Sequence, residues 1–272
     1  MARRGDGKVS EVLPLLARIA EAVAVGPVWQ TATGYFAGLG FGRVNYGYTR
    51  FLNDKTIGNP EDAVFLTTGD ADYARRYFSG GLYARTPVFR WAQQNAGSCT
   101  WAWVGEAMAR GELSPDEVAA VKQNLAMGIT AGITVSFPET STRAKGALGM
   151  IADPGMDHAA VEQVWAAKRE EILAVANMMH LKIVNMPGAN RRRPLTQRQR
   201  EALEWVADGK TTQDVALLMN VSPAMVEKHL RLAREALDVE TTAQAVAKAA
   251  LLNMIFQKEE VAPPLPPVAA AR

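Results

Sequence analysis

The sequence predicts an α+β protein: an N-terminal α-β-α sandwich around an antiparallel sheet, followed by an all-α four-helix domain. Residues 9–186 alternate helical periodicity with β-branched and aromatic runs, whereas residues 194–257 carry only helical patterns separated by short turns. Between them, Pro187-Gly188-Ala189-Asn190 is typical of a linker. We therefore expect domains at 1–186 and 194–257, a basic linker at 187–193, and a disordered tail, rich in Pro and Ala, at 258–272.

The composition is that of a soluble protein with a hydrophobic core. Its 272 residues, 48% of them hydrophobic and 21% charged, suffice for two domains of ordinary size. No apolar run approaches the about 18 residues needed to span a bilayer, so no membrane partner is expected. The single Cys99 excludes an internal disulfide and fits a reducing cytoplasm, which is the expected location. The histidines are scattered, which predicts no metal site, and no cofactor is expected.

Hydrophobic periodicity predicts the elements of the N-terminal part. Helices are expected at 9–24, 27–38, 70–80, from 87 onwards, at 114–127 and at 157–184, and strands at 40–52, 62–68, 132–137 and 145–152. The turn-rich residues 53–61 are expected to form a hairpin loop between the first two strands. The long helix at 157–184 is a candidate dimer element, although its apolar residues would equally suit burial against its own sheet.

The C-terminal part is predicted from helix start and stop signals. Candidate N-caps are Thr196, Thr212 and Ser222, and Pro223 occupies the first position of the third helix. A last helix is expected from about Thr242 to Ile255. Two short helices, a tight turn and a third helix with a charged outer face together predict a helix-turn-helix.

The third helix has two distinct faces. Its predicted inner face is Val226, Leu230, Ala233 and Leu237, and its predicted outer face is Ala224, Glu227, Lys228, Arg231 and Arg234. From Arg191 to Arg234 there are nine Lys or Arg against five Asp or Glu, an excess that fits a surface facing phosphates. A helical domain with a solvated charged face is the alternative that the pattern alone leaves open.

The residues of this segment resemble the DNA-binding domain of LuxR-type transcriptional regulators. The resemblance rests on Leu195-Thr196, Arg198, Leu203, Trp205, Gly209-Lys210-Thr211, Val215-Ala216, Val221-Ser222, Val226, His229-Leu230, Leu237, Val239 and Ala245-Val246. We expect Lys228 and Arg231 to contact DNA, Glu227 to read a cytosine, and Lys210 and Arg234 to bind phosphates, with Thr211 beside Lys210. Gln199, Met225, Ala236 and Thr242 depart from the family pattern; the last two remove implied phosphate contacts, so weaker or shifted DNA binding is expected.

Residues 68–101, with MGITAGITVSF downstream, resemble the autoinducer-binding domain that precedes this module in LuxR-type regulators. Tyr77, Pro87, Trp101 and Gly132 fall where the family has its Tyr, Pro, Trp and Gly. The resemblance implies that these residues line a site for N-acyl-homoserine lactones, the Tyr hydroxyl holding the acyl amide and the Trp ring packing on the lactone. Thr134, on the same predicted strand as Gly132, completes the candidate set.

Two departures fall on the implied polar contacts. Tyr73 stands where the family has a Trp that donates to the lactone carbonyl, and Thr86 where it has an Asp that accepts from the ligand amide. Replacing a charged acceptor with a neutral one lowers affinity by about a factor of ten. Three explanations remain open: a different ligand, a charge supplied by Asp70 or Asp72, or no small ligand, with the aromatic residues serving only as core.

The expected function is that of a cytoplasmic transcriptional regulator that senses a small signal molecule, such as an acyl-homoserine lactone. Its expected partners are double-stranded promoter DNA, a second copy in a homodimer, and RNA polymerase as a further candidate. The alternative is an orphan regulator or antiactivator that acts by heterodimerisation with another protein. An enzyme is not expected, because the sequence lacks a GxSxG elbow, a Ser–His–Asp order and a metal-ligand cluster.

Overall fold

The structure, a computed structural model, describes residues 12–53, 57–139, 141–190 and 192–257. The start of the helix predicted at 9–24 and the whole tail predicted at 258–272 lie outside these ranges. Within them, none of the helices has the length and apolarity needed to cross a membrane. The α-helices are α1 (Val12–Glu21), α2 (Val25–Ala37), α3 (Ala71–Ala74), α4 (Pro87–Gln94), α5 (Ala102–Ala109), α6 (Pro115–Ala126), α7 (His158–Val184), α8 (Gln197–Ala207), α9 (Thr212–Leu218), α10 (Pro223–Leu237) and α11 (Thr242–Leu251). The strands are β1 (Arg43–Thr49), β2 (Val64–Thr67), β3 (Gly97–Thr100), β4 (Gly132–Ser136) and β5 (Lys145–Ile151).

The strands form one five-stranded sheet in the order β2-β1-β5-β4-β3. Every neighbouring pair is antiparallel, and β1 pairs with β2 as the hairpin interpretation requires. The helical domain follows the sheet domain along the chain. The predicted α+β fold class is therefore confirmed.

One face of the sheet is a closely packed core. Side chains alternate between the two faces of a strand, so Val44, Tyr46 and Tyr48 of β1 share this face with Leu148 and Met150 of β5. All of these are buried in one cluster with apolar residues of α1, α2 and α7. Apolar residues of α7, including Ile172, Val175 and Met179, are buried in their own domain, whereas Leu181 of the same helix is 58% exposed.

The opposite face of the sheet carries small and polar residues. In β1 these are Asn45, Gly47 and Thr49, and in β5 they include Ala147 and Gly149. Helices α3 to α6 cover this face without filling the space above the small residues. The sheet therefore separates a packed layer from a layer that contains a cavity.

Two elements on this side of the molecule, the edge strand β3 and the covering helix α5, were not predicted, and one helix was predicted with the wrong form. The short β3 and α5 carry weak signals: α5 contains Gly105 and begins without a side-chain cap. The helix predicted at 70–80 is instead the short α3 continued by a π-helical turn over Arg75–Ser79. Across this change of pitch the rings of Tyr73 and Tyr77 stack with their centroids 5.4 Å apart.

Reciprocal capping defines the helical domain. Thr196 with Gln199, Thr211 with Asp214, and Thr241 with Gln244 form capping boxes at α8, α9 and α11. The prediction that Thr212 caps α9 was wrong by one residue, because Asp214 at the third helical position reciprocates with Thr211.

The last helix ends at Leu251 instead of Ile255, and Asn253 then adopts a positive φ of 53°. The predicted inner face of α10 is confirmed: all its members are buried.

The helical domain contacts the sheet domain through a group of buried charges. Asp62, in the β1–β2 connection, accepts hydrogen bonds from the Arg192 guanidinium and lies 2.9 Å from Lys248 Nζ in α11. The Asp62 and Arg192 side chains are each only 3% exposed. Arg192 also donates to the Ala236 carbonyl at 3.1 Å. The guanidinium of Arg192 is therefore buried in the contact between the domains and is not available to bind phosphates.

Candidate ligand cavity and nucleic-acid interface

A cavity of about 260 Å³ lies between the small-residue face of the sheet and helices α3 to α6. Of the seven residues predicted to bind a ligand, the six that line it are Tyr73, Tyr77, Thr86, Pro87, Trp101 and Thr134. Gly132 is not part of the lining but lies directly behind the ring of Trp101. One concave space thus brings together residues that are up to 61 positions apart, from Tyr73 to Thr134.

Gly132 determines how closely Trp101 approaches the sheet. A Cβ at this position would collide with the Met150 carbonyl oxygen and lie 2.9 Å from two ring carbons of Trp101. The first obstacle is backbone of the neighbouring strand and cannot move aside. Only glycine at this position lets the indole lie against β4.

Replacing Gly132 with alanine is expected to destabilise the protein by about 1–3 kcal/mol, the usual range for overpacking a core. Urea denaturation and the melting temperature would measure the change. Gly34→Ala is a suitable control, since a Cβ in this turn of α2 meets nothing within 4 Å. There alanine is expected to stabilise by about 0.5–1 kcal/mol through its helix propensity. Equal effects of the two substitutions would contradict the close packing of Trp101 on Gly132.

A row of hydrogen bonds runs across the floor of the cavity. The Gly69 N–H donates to Thr67 Oγ1 at 3.0 Å, and that hydroxyl donates to Asn45 Oδ1 at 2.7 Å. The Asn45 amide then donates to the Tyr73 hydroxyl at 2.6 Å. These hydrogen bonds hold the Tyr73 hydroxyl in place above the sheet.

A second hydrogen bond fixes the indole on the other side of the floor. The Trp101 Nε1–H donates to Thr134 Oγ1 at 2.8 Å. Gly149 pairs with Asn45 on one side and with Thr134 on the other, so both polar groups stand over one row of the sheet. The indole N–H of Trp101 is therefore already hydrogen-bonded to another residue of the protein.

The tyrosines of the cavity remain protonated near neutral pH. Burial, opposed in part by the Asn45 hydrogen bond and the Arg43 charge, raises the pKa of Tyr73 to about 12. Burial, together with Tyr73 nearby, also raises the pKa of Tyr77 well above its ordinary value. Both side chains thus offer neutral hydroxyls to whatever occupies the cavity.

The side chain of Thr86 is hydrogen-bonded to the backbone around it. Its buried hydroxyl donates to the Tyr83 carbonyl at 2.8 Å and accepts from the Phe89 N–H at 3.3 Å as the N-cap of α4. The two carboxylates considered as substitutes lie outside the lining: Asp70 is exposed and caps α3, and Asp72 is exposed and pairs with Arg75 at 2.9 Å. Among the described residues that line the cavity there is no carboxylate.

The predicted DNA-binding residues lie on a separate surface, in the helical domain. Lys210, Thr211, Glu227, Lys228 and Arg231 are exposed. Two of the predicted basic contacts have intramolecular partners: Arg231 pairs with Glu235 one turn later in α10, and the half-buried Arg234 donates to Thr242 Oγ1 at 2.9 Å. The hydroxyl of Thr212 donates to Glu227 at 3.0 Å, which links α9 to the outer face of α10.

Comparison with known families matches both parts of the chain. The family model described as "Autoinducer binding domain" matches residues 26–183, and the one described as "Bacterial regulatory proteins, luxR family" matches residues 193–249. The chain belongs to the LuxR family of regulators. As a LuxR-family protein it combines an autoinducer-binding domain with a helix-turn-helix domain of transcriptional regulation.

Individual relatives of this LuxR-family chain are also regulators. It is 26% identical over 219 residues to the HTH-type quorum sensing-dependent transcriptional regulator VjbR of Brucella ovis, covering 79% of this chain and 83% of VjbR. It is 27% identical over 223 residues to the transcriptional activator protein TraR of Agrobacterium vitis, covering 79% and 87% of the two chains. A solved structure of SdiA in complex with octanoyl-rac-glycerol superposes with a TM-score of 0.52 at 16% identity, covering 95% of this chain and 100% of SdiA. This last likeness concerns the fold alone.

The LuxR-family cavity contains polar residues that the sequence interpretation missed. Asn45 interrupts a run of strand formers, and an Asn inside a strand pattern is the signal that was available. Lys145 donates to the Asn95 carbonyl at 2.9 Å, and burial lowers its pKa, with Glu139 opposing. Asn124 and His158 line the cavity with one buried polar atom each, Oδ1 and Nδ1, that has no hydrogen-bond partner among the described residues.

Proposed function

We propose that this LuxR-family regulator binds a neutral small signal molecule in the cavity and, as a homodimer, binds promoter DNA through α10. The single observation that carries the proposal is the hydroxyl-lined cavity of about 260 Å³ in a chain that ends in a helix-turn-helix. Its lining by Tyr73, Tyr77, Trp101 and Thr134 supports recognition by neutral hydrogen bonds and ring packing. We assign the sensing part to residues 1–186, the linker to 187–193 and the DNA-binding part to 194–257.

The size of the cavity supplies a physical reason for ligand dependence. The apolar side chains that line this space have no packing partner on the cavity side, so they forgo the contacts that a filled core would give them. A ligand that fills this space stabilises the folded sensing domain and shifts the population towards the form that binds DNA. Homodimerisation follows from the small number of base pairs that one recognition helix reads, and RNA polymerase is a further candidate partner at the promoter.

A ligand-independent regulator or antiactivator is the second candidate. It is favoured by the lack of a carboxylate among the described lining residues and by Ala236 and Thr242, which take the place of implied phosphate contacts. Such a protein would use the sensing domain to form a heterodimer. Its DNA binding and its stability would not respond to small molecules.

Native mass spectrometry of the chain, expressed with and without a panel of acyl-homoserine lactones, acylglycerols and aryl analogues, separates the two candidates. Retention of one compound, together with a higher melting temperature and tighter promoter binding, is the expected result. An empty, folded dimer that binds DNA equally well under all conditions would contradict ligand dependence. Copurification of a related regulator would then support the heterodimer candidate.

A further inference from the structure

We propose that the cavity selects a ligand whose polar head carries hydrogen-bond acceptors and no N–H: an ester or ketone in place of an amide. This inference rests on the proposed function, because it specifies the ligand of the same cavity. The evidence for this inference is the set of hydrogen bonds that the lining residues already make with one another.

The two hydroxyls on the cavity floor are donors. Tyr73 accepts from Asn45 and Thr134 accepts from Trp101, so in each case a protein N–H uses one lone pair of the oxygen and the hydroxyl proton is left to be donated. No described residue accepts the hydroxyl proton of Tyr73 or that of Thr134 in turn. Since both stand over the row that runs from Asn45 through Gly149 to Thr134, they face the cavity as a pair of O–H donors. A ligand meets them best with two acceptor oxygens.

An amide N–H, by contrast, finds no charged acceptor. Thr86 both donates to the Tyr83 carbonyl and accepts from the Phe89 N–H, so its hydroxyl is committed to the α4 cap. Asp70 and Asp72 lie outside the lining. Asn124 Oδ1 is a neutral acceptor on α6, and His158 offers one imidazole nitrogen. Neither replaces a carboxylate, because a hydrogen bond to a charged group is roughly twice as strong as one between neutral groups.

The lining also has donors beyond the floor. Tyr77 and Lys145 border the same space, and the ammonium of Lys145 has donor capacity beyond its bond to Asn95. Tyr77 and Lys145 thus add donors to the pair on the cavity floor. A ligand that buries an N–H without a good acceptor loses about 10- to 100-fold in affinity.

A matched pair of compounds tests this selectivity. The first is an N-acyl-homoserine lactone, and the second is the ester analogue in which oxygen replaces the amide N–H, with the acyl chain unchanged. Calorimetric titration of the full-length chain with both compounds, over a series of acyl lengths, gives the ratio of their dissociation constants. We expect the ester to bind at least about 10-fold more tightly.

The variant Thr86→Asp supplies the missing carboxylate. Asp is as good an N-cap as Thr, so one oxygen can cap α4 and the second remains for the ligand, while the bond donated to the Tyr83 carbonyl is lost. This variant is expected to reverse the preference, so that the amide binds more tightly than the ester. The matched control Thr86→Ser keeps the cap and stays neutral, and it is expected to retain the ester preference. The melting temperature of each variant shows whether the fold is kept.

The outcomes separate the two levels of the proposal. If neither compound binds wild type or Thr86→Asp at any chain length, this inference fails, and the wider panel of compounds described above decides the ligand proposal separately. If wild type binds the amide as tightly as the ester, the ligand proposal stands and the selectivity is wrong, with Asn124 as the acceptor to test next. If Thr86→Asp keeps the preference of wild type, the carboxylate at this position does not decide between the two ligand classes, and the inference fails on that ground.

Discussion

Replacing Lys228 and Arg231 together with alanine is expected to lower operator affinity at least about 100-fold, because each side chain that contacts a base contributes about 1–3 kcal/mol of discrimination. Both residues are exposed on the outer face of α10, away from the buried side of that helix. The fold should remain intact, since the substitutions remove no core contact. Fluorescence anisotropy on an operator selected by the wild-type protein from random DNA would measure the loss.

A control with the same change in charge distinguishes a specific surface from a general loss of positive charge. Arg18 in α1 and Lys122 in α6 are exposed and lie in the sheet domain. Their double alanine variant is expected to bind the operator within about two- to threefold of wild type, because interactions between exposed charges more than a Debye length apart, about 10 Å at 0.1 M salt, are largely screened. Unchanged binding by the Lys228/Arg231 variant would overturn the assignment of α10 as the DNA-reading helix.

Replacing Asp62 with alanine is expected to destabilise the chain by about 3–5 kcal/mol, the usual cost of leaving a buried charge without its partner. Arg192, whose side chain is 3% exposed, and Lys248, whose side chain is 13% exposed, both lose their contact with the carboxylate. The contact between the domains should loosen as well. Urea denaturation would measure the stability, and the rate of proteolysis within 187–193 would report on the contact between the domains.

The neighbouring Glu61 is the matched control for Asp62. Its carboxylate lies 3.8 Å from Arg192, but its side chain is 65% exposed. Glu61→Ala is therefore expected to cost no more than about 1 kcal/mol, as exposed ion pairs do. If Asp62→Ala and Glu61→Ala changed stability equally, the buried pair would have no special role in holding the domains together.

Local patterns predicted much of the fold, and the reason is visible in particular elements. Ser222 with Pro223 and the buried positions of α10 are separated by a few residues, so the helix and its inner face follow from short-range rules. The sheet strands with strong β-branched or aromatic content were predicted for the same reason. The short β3 lacks both kinds of residue except for one Thr, and α5 lacks a capping side chain, so tertiary contacts decide these two elements.

The candidate cavity was predicted in part. Tyr73, Tyr77 and Trp101 came from a family resemblance, whereas the roles of Asn45 and Thr134 depend on which strands are neighbours. That pairing is non-local and leaves no trace in the spacing of one sequence. The contact between Asp62 and Arg192 joins residues 130 positions apart, and no local rule relates them.

Substitutions on the two faces of the sheet affect different parts of this protein, the packed core on one face and the cavity on the other. A methyl group added at Gly149 would lie 3.9 Å from the Trp101 ring, an ordinary contact, and would reduce the space above the sheet. Leu148 and Met150, the adjacent residues on the strand, would keep their places in the opposite core. Single substitutions at alternate positions of β1 and β5 can therefore change the shape of the cavity while the opposite core keeps its side chains.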